Sequence, residues 1–126
     1  MPGIRQLLGA RGERVARRFL RRRGYGIVRR NYRGRHGEID LVALDGDILV
    51  FVEVKTRAQD HYGDPLEAVD RRKQRQIARV AEEFVEEHRL HDRPIRFDVV
   101  GVRRRGWRWE VELVRDAFEV EGSFRF

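Results

Sequence analysis

Hydrophobic residues recur at helical spacing near the start of the chain. From about Ile4 to Arg23 they fall on one side of a helix and most arginines fall opposite, which predicts an amphipathic helix. Gly24 and Gly26 are suited to ending it. Glu13 departs from the basic side, because this acid lies at the border of the apolar side. The apolar side comprises Ile4, Leu8, Gly12, Val15, Ala16, Phe19 and Leu20.

The centre of the chain alternates between apolar runs and turn residues. A strand is predicted at about 27–32, followed by two nearly continuous apolar runs at 38–44 and 48–55. Asp45 and Gly46 lie between the two runs and favour a tight turn, which predicts a β-hairpin. Because both runs are apolar at almost every position, we expect the sheet to be covered on both faces.

The second half of the chain opens with a helix-start pattern. Asp64 is suited to cap a helix, Pro65 to its first position and Glu67 to the third position after the cap, and helical spacing continues to about Leu90. Strands are predicted at 95–102 and 107–114, with a turn at 103–106. The predicted buried side of the helix comprises Leu66, Val69, Ile77, Val80, Ala81 and Phe84.

The resulting order is α-β-β-β-α-β-β, which predicts an α/β fold with a mixed sheet flanked by helices. At 126 residues the chain has the usual size for one hydrophobic core, so we expect residues 1–126 to form a single domain. It has no run of the roughly 20 apolar residues that a membrane span needs. The absence of cysteine excludes disulfides and thiolate metal sites and is typical of a reducing cytoplasm.

Charge is distributed unevenly along the chain. The formal net charge is +7, but residues 1–36 contain twelve arginines and a single acid and sum to +11, whereas the remainder sums to −4. Such a basic segment favours a polyanionic partner, because each neutralised phosphate releases condensed counterions. The alternative is an ordinary solvated surface rich in salt bridges.

Only two of the 28 basic residues are lysines, Lys55 and Lys73. This suggests that both positions need a compact ammonium group rather than a planar guanidinium. On a helical wheel Lys73 lies within the apolar side of the second helix. A lysine there either extends to solvent along its own stem or meets an acid. We expect it to reach a substrate phosphate or a carboxylate of the site.

Three charged residues interrupt the apolar strands of the predicted hairpin. Glu53 and Lys55 share one face of their strand, and pairing around the turn brings Asp40 close to Glu53. Buried carboxylates are costly unless they are paired or bind a cation. Two carboxylates beside a lysine suit Mg²⁺ or Mn²⁺ and the hydrolysis of a phosphodiester. The alternative is a set of ion pairs at the strand ends, Glu53 with Lys55 and Asp40 with an arginine.

The segments Gly37-Glu38-Ile39-Asp40-Leu41 and Phe51-Val52-Glu53-Val54-Lys55-Thr56-Arg57 resemble the signature of the YraN-like family of uncharacterised bacterial proteins. That family resembles archaeal Holliday-junction resolvases and other PD-(D/E)xK nucleases of restriction-endonuclease fold. The resemblance extends from about Gly12 and Glu13 to the segment 96–100 and to Ala117 and Phe118. It departs from the superfamily's name at one position, where Ile39 replaces the proline.

The resemblance implies a restriction-endonuclease-like core with a functional role for each matching residue. Asp40 and Glu53 would ligate Mg²⁺ or Mn²⁺, Glu13 would complete the metal's carboxylate set, and Lys55 would be the catalytic lysine. We therefore expect a metal-dependent DNA endonuclease, with branched or structured DNA among its candidate substrates. The alternatives are a nucleic-acid-binding module without catalysis and a protein-interaction module.

Nucleic acid is the expected partner, DNA before RNA, and a homodimer is a common arrangement for so small a nuclease. The residues expected to contact backbone phosphates, which position a ligand without reading its sequence, are Arg14, Arg17, Arg33, Arg35, Arg57 and Lys73.

Overall fold

The computed structural model describes residues 4–57 and 69–120, with side chains from Leu7 onward. The elements follow the predicted order α-β-β-β-α-β-β, so the α/β fold class is confirmed. The layout is consistent with a restriction-endonuclease-like core. The elements are α1 (Ile4–Arg22), β1 (Gly26–Arg33), β2 (Glu38–Asp45), β3 (Ile48–Arg57), α2 (Arg71–His88), β4 (Ile95–Arg105) and β5 (Arg108–Val114).

The five strands form one mixed sheet in the order β1-β2-β3-β4-β5. Neighbouring strands are antiparallel except β3 and β4, which run parallel from Leu49↔Ile95 to Arg57↔Arg103. The segment between these two parallel strands contains α2, as a crossover connection requires. The hairpin predicted at Asp45 and Gly46 is confirmed, because Asp45 pairs with Ile48 across that turn.

Each face of the sheet is covered by one helix. The α1 side buries Ala16 and Leu20 of the helix against Leu41, Val50 and other strand residues. The α2 side buries the predicted helix residues Ile77, Val80, Ala81 and Phe84 against Phe51, Phe97 and their neighbours. The expectation of a sheet covered on both faces is thus confirmed, and it explains why β2 and β3 lack regular polar alternation.

The predicted start of α2 is wrong. The helix begins at Arg71, and Asp70 caps it by accepting a hydrogen bond from the backbone N of Lys73 at 2.8 Å. Val69 is buried as expected, but it precedes the helix. Asp64 and Asp70 are both competent caps, and spacing alone did not separate them. Asp64, Pro65, Leu66 and Glu67 lie outside the described residues.

The turn between the last two strands is shorter than predicted. The residues Arg103–Arg105 continue β4 and pair with β5, so the chain reverses only at Gly106 and Trp107. Gly106 has a φ of +59°, which a glycine adopts without steric cost and which allows the tighter turn. Trp107 is 80% exposed there.

A buried polar network joins the strands at the end of the sheet away from the carboxyl end of β3. Asp98 accepts from the Tyr25 hydroxyl at 2.8 Å and from Arg96 Nε at 2.9 Å. The same arginine donates to Asp45 at 2.9 Å. Asp98 thus pairs with an arginine of its own strand, and this acid is structural. Within the described ranges, no helix combines the length and the apolar character needed to cross a membrane.

Candidate active site

The candidate site lies where β2 and β3 separate. Their pairing ends at Leu41↔Val52, and the next pair in that register would be Asp40 and Glu53. Instead, Asp40 Oδ2 accepts a hydrogen bond from the backbone N of Val54 at 2.7 Å. The carboxylate of Asp40 thus satisfies a backbone donor beyond the end of the ladder, which fixes it beside β3.

Asp40 also lies between the two faces of the sheet. Residues two apart in a regular strand share a face, yet Leu41 belongs to the α1-side cluster and Ile39 to the α2-side cluster. The alternation therefore breaks at Asp40. Opposite it on β1, Asn31 has a φ of +51°, so both strands are irregular at the same level. As a result the charge of Asp40 acts on acids from both faces, Glu13 and Glu53.

Glu53 lies on the α2 side with both lysines of the chain. Its side chain is almost fully buried, and Oε1 is 3.6 Å from Lys55 Nζ and 3.8 Å from Lys73 Nζ. Its other oxygen, Oε2, is buried and accepts no hydrogen bond from the residues that the structure describes. A buried carboxylate oxygen without a donor is costly. The arrangement leaves Oε2 available to a cation or to water.

The pKa values reflect this crowding. The pKa of Glu53 is raised to about 7, by burial first and then by the charge of Asp40, and Lys73 and Lys55 only partly offset these effects. Burial also raises the pKa of Asp40, against the opposing effects of the Val54 N–H and of Lys55. The two lysines thus offset only part of the cost of burying these carboxylates, and a bound cation would offset more of it.

Glu13 reaches the site from α1 because the helix packs directly on the end of β3. A Cβ built on Gly12 would lie 2.2 Å from Thr56 Oγ1, so only glycine allows this approach. Burial first, and then the charge of Asp40, raises the pKa of Glu13. Arg17 lies 3.6 Å from Glu13 and partly neutralises it.

The residues fit a divalent cation in part. Asp40 and Glu53 adjoin, their oxygen donors suit a hard ion, and one buried oxygen lacks a donor. Glu13 approaches Asp40 from the opposite side of the sheet. Across residues 4–57 and 69–120, no three Asp, Glu or His side chains form a ready-made metal cluster. The structure thus brings together Asp40, Glu53, Lys55 and Lys73. Of these four residues, only Asp40 acts on the charge of Glu13.

Comparison with known proteins shows to which family the chain belongs. The model of the Uncharacterised protein family UPF0102 matches residues 12–102. The chain belongs to this family. The UPF0102 protein of Rhodococcus opacus (strain B4) is 50% identical over 112 residues, which cover 88% of this chain and 95% of the relative. That of Geobacter metallireducens is 46% identical over 113 residues, covering 90% of this chain and 93% of the relative.

The span of the UPF0102 match has a structural meaning. Residues 12–102 begin at Gly12, which allows the close approach of α1, and end within β4. They include Glu13, Asp40, Glu53 and both lysines, whereas β5 lies outside. The segment that defines the family is therefore the one that builds the candidate site.

The arginines expected to contact phosphate are spread over three parts of this UPF0102 protein. Arg14 is exposed on α1, and Arg17 pairs with Glu13. Arg33 and Arg35 lie at the end of β1 and just beyond it, where Arg33 pairs with Glu38 at 3.3 Å. The remaining one, Arg57, ends β3. Its Nε is buried and has no acceptor in the described part of the chain. Arg57 lines a cleft of about 150 Å³ together with Lys55.

Asn31 is the site residue that sequence reasoning missed. With its amide nitrogen toward the acids, it donates to Glu13 Oε1 at 3.3 Å and to Glu38 Oε1 at 3.2 Å. It therefore links the acid of α1 to the start of β2. A signal was present, because asparagine is depleted in strands and tolerates a positive φ better than most residues.

Proposed function

We propose that this UPF0102 protein is a divalent-metal-dependent nuclease that hydrolyses phosphodiester bonds of nucleic acid, DNA in preference to RNA. The observation that carries the proposal is Glu53, a buried carboxylate with one unpartnered oxygen beside Asp40 and between the only two lysines of the chain. A buried acid of this kind with a raised pKa is typical of functional sites.

Each residue has a distinct part in the proposed reaction. Asp40 and Glu53 would hold Mg²⁺ or Mn²⁺, which when bound lowers the pKa of water and withdraws charge from the scissile phosphate. The Val54 N–H keeps Asp40 oriented toward β3. Lys55 is partly exposed while its ammonium lies 3.6 Å from Glu53, so it can reach substrate and offset the negative charge that develops on the phosphate.

A second candidate is a nucleic-acid-binding module that does not cut. One observation favours it: Lys55 and Lys73 both lie within 4 Å of Glu53 Oε1 and partly neutralise the pocket without a metal ion. In that case the uneven arginine distribution would supply the binding, and the acids would be structural.

The test is cleavage of linear, flapped and four-way DNA, and of matched RNA, in Mg²⁺ or Mn²⁺. The wild-type protein should cleave, and Glu53→Gln and Lys55→Ala should each lower the rate by on the order of a hundredfold or more. Glu86→Gln is the matched control, because this exposed glutamate lies near the end of α2, whereas the site lies beside the first turn of that helix. Cleavage that survives both site variants contradicts the proposal. Salt-sensitive binding without cleavage in either metal supports the binding module.

A further inference from the structure

The charges of α2 are arranged against its dipole. Its first ten residues, 71–80, contain Arg71, Arg72, Lys73, Arg75 and Arg79 and no acid, whereas residues 81–88 contain four glutamates and no arginine or lysine. A helix dipole favours acids near the N-terminus and bases near the C-terminus. Like charges four residues apart also repel. This order costs helix stability, which indicates a use for the cations.

Two of the four acids of α2 have structural partners, whereas its arginines form no ion pair with another described residue. Glu87 accepts from the Tyr32 hydroxyl, and Glu83 accepts from the backbone N of Arg35 at 2.8 Å. None of the four arginines forms an ion pair with another described residue. Their charges are therefore available to a ligand.

These arginines line a shallow groove between α2 and the turn after β1. The groove has a volume of about 360 Å³ and is lined by His36, Arg71, Arg72, Arg75, Gln76 and Arg79. Gln76 Nε2 donates to the carbonyl of His36 at 2.9 Å, and a Cβ on Gly37 would lie 2.7 Å from the same nitrogen. The turn is thus fixed closely against the helix, so the groove is preformed.

We propose that the row of arginines along this groove, which we call the α2 ridge, binds the phosphate backbone of a nucleic-acid strand and leads it to the site. Arg71, Arg75 and Arg79 follow one another at four-residue steps, about 6 Å along the helix axis, a spacing suited to neighbouring phosphates. The lining residues within the described ranges include no aromatic ring except the imidazole of His36, so the contacts are to the backbone rather than to stacked bases.

The ridge and the site share the first turn of α2. Lys73 faces the sheet and lies 3.8 Å from Glu53, while its neighbours Arg71 and Arg72 line the groove. A nucleic-acid strand bound along the ridge therefore passes beside Glu53. The ridge is distinct from the arginines of α1, because the two helices cover opposite faces of the sheet. The inference rests on the proposed nucleic-acid substrate.

The experiment is a salt titration of binding without metal, which separates the ridge from catalysis. Fluorescence anisotropy with labelled single-stranded and duplex DNA in EDTA compares wild type with the triple variant Arg71→Gln/Arg75→Gln/Arg79→Gln. The slope of log K against log salt should shrink by about 2 to 3, with at least roughly tenfold weaker binding at low salt. The matched control is Arg104→Gln/Arg105→Gln/Arg108→Gln on the β4–β5 hairpin, which removes the same charge and should change the slope by less than about 1.

Equal slopes of log K against log salt for wild type and the triple variant would contradict the ridge proposal. A control variant whose slope shrinks as much as that of the triple variant would contradict it too. If the triple variant unfolds at a lower temperature, the single Arg75→Gln replaces it, with an expected slope change of about 1. Failure of the nuclease proposal has a different signature, because binding and its slope would persist while no DNA is cut in Mg²⁺ or Mn²⁺.

Discussion

The ammonium of Lys73 lies 3.8 Å from Oε1 of Glu53, so a helix and a strand far apart in sequence share one charge pair. Lys55 approaches the same oxygen from within β3 at 3.6 Å. The other oxygen of Glu53 is buried, and no donor for it lies within residues 4–57 or 69–120. This asymmetry, two cations on one oxygen and none on the other, is the basis of the predictions about the site.

Removing Lys73 should make Glu53 harder to ionise. The pKa of Glu53 is raised to about 7 because burial and Asp40 raise it more than Lys73 and Lys55 lower it. In Lys73→Met we therefore expect Glu53 to titrate at a higher pH than in wild type. Carbon-detected NMR titration of the Glu53 carboxyl measures this directly. Lys73→Arg, which keeps the charge, is the control. An unchanged titration in Lys73→Met would show that Lys73 does not affect the pKa of Glu53.

Glu53 should also lower the stability of the metal-free protein at neutral pH. Its pKa is raised on folding, so between about pH 4.5 and 7 the folded state holds a proton that the unfolded state has lost, and stability falls as pH rises through that window. Glu53→Gln should unfold in urea with a free energy about 1–3 kcal/mol higher than wild type at pH 8, and with a smaller difference at pH 4. Wild type that is more stable than the variant at pH 8 without metal would argue against this account.

Gly12 should tolerate no side chain, unlike Gly9 one turn earlier in α1. A Cβ at Gly12 meets Thr56 Oγ1 at 2.2 Å, whereas a Cβ at Gly9 meets nothing within 4 Å. We expect Gly12→Ala to destabilise the fold by roughly 1–3 kcal/mol through overpacking. Gly9→Ala should stabilise it by up to about 1 kcal/mol through helix propensity.

Thermal and urea unfolding compare the two alanine variants. Adding Thr56→Ala to Gly12→Ala removes the Oγ1 and Cγ2 atoms that clash and should recover part of the loss. Similar behaviour of the two single variants would mean that α1 does not rest on the end of β3.

The polar network around Asp98 should matter for stability and not for the site. Asp98 is 1% exposed and accepts from Tyr25, Arg96 and the backbone N of Asp116. Asp98→Ala should cost roughly 3–5 kcal/mol, because it leaves the partly buried Arg96 without its main partner. Tyr25→Phe should cost only about 1 kcal/mol. Urea unfolding measures both, and an effect of Asp98→Ala below that of Tyr25→Phe would contradict the role of Asp98.

The sequence predicted the strands, the turn at Asp45 and Gly46 and the proximity of Asp40 to Glu53, because these features depend on local patterns. Long apolar runs specify strands, and counting back from the turn at Asp45 and Gly46 gives the register. The inward direction of Lys73 followed from its angle on the helix. The resemblance to the YraN-like family is confirmed by the UPF0102 match to residues 12–102, whereas the further resemblance to PD-(D/E)xK nucleases stays a prediction.

The remaining features depend on tertiary contacts that a pattern does not contain. The start of α2 was misplaced because two aspartates can each cap a helix. Val69 is buried ahead of Asp70 through tertiary contacts, which helical spacing does not reveal. The position of Asp40 between the faces arises from irregular backbone at Asn31 and Asp40, which simple alternation does not predict. The groove beside α2 exists because the turn containing His36 folds back on the helix.

The most direct test of the site is the position of a bound divalent ion. Crystals soaked in Mn²⁺ should show an anomalous peak within coordination distance of Asp40 and of the Oε2 atom of Glu53. The same soak of Glu53→Gln crystals should show none there, whereas crystals of Glu86→Gln, an exposed position near the end of α2, should match wild type. A wild-type crystal with both carboxylates ordered and no manganese between them, or with manganese only elsewhere, would contradict the metal site.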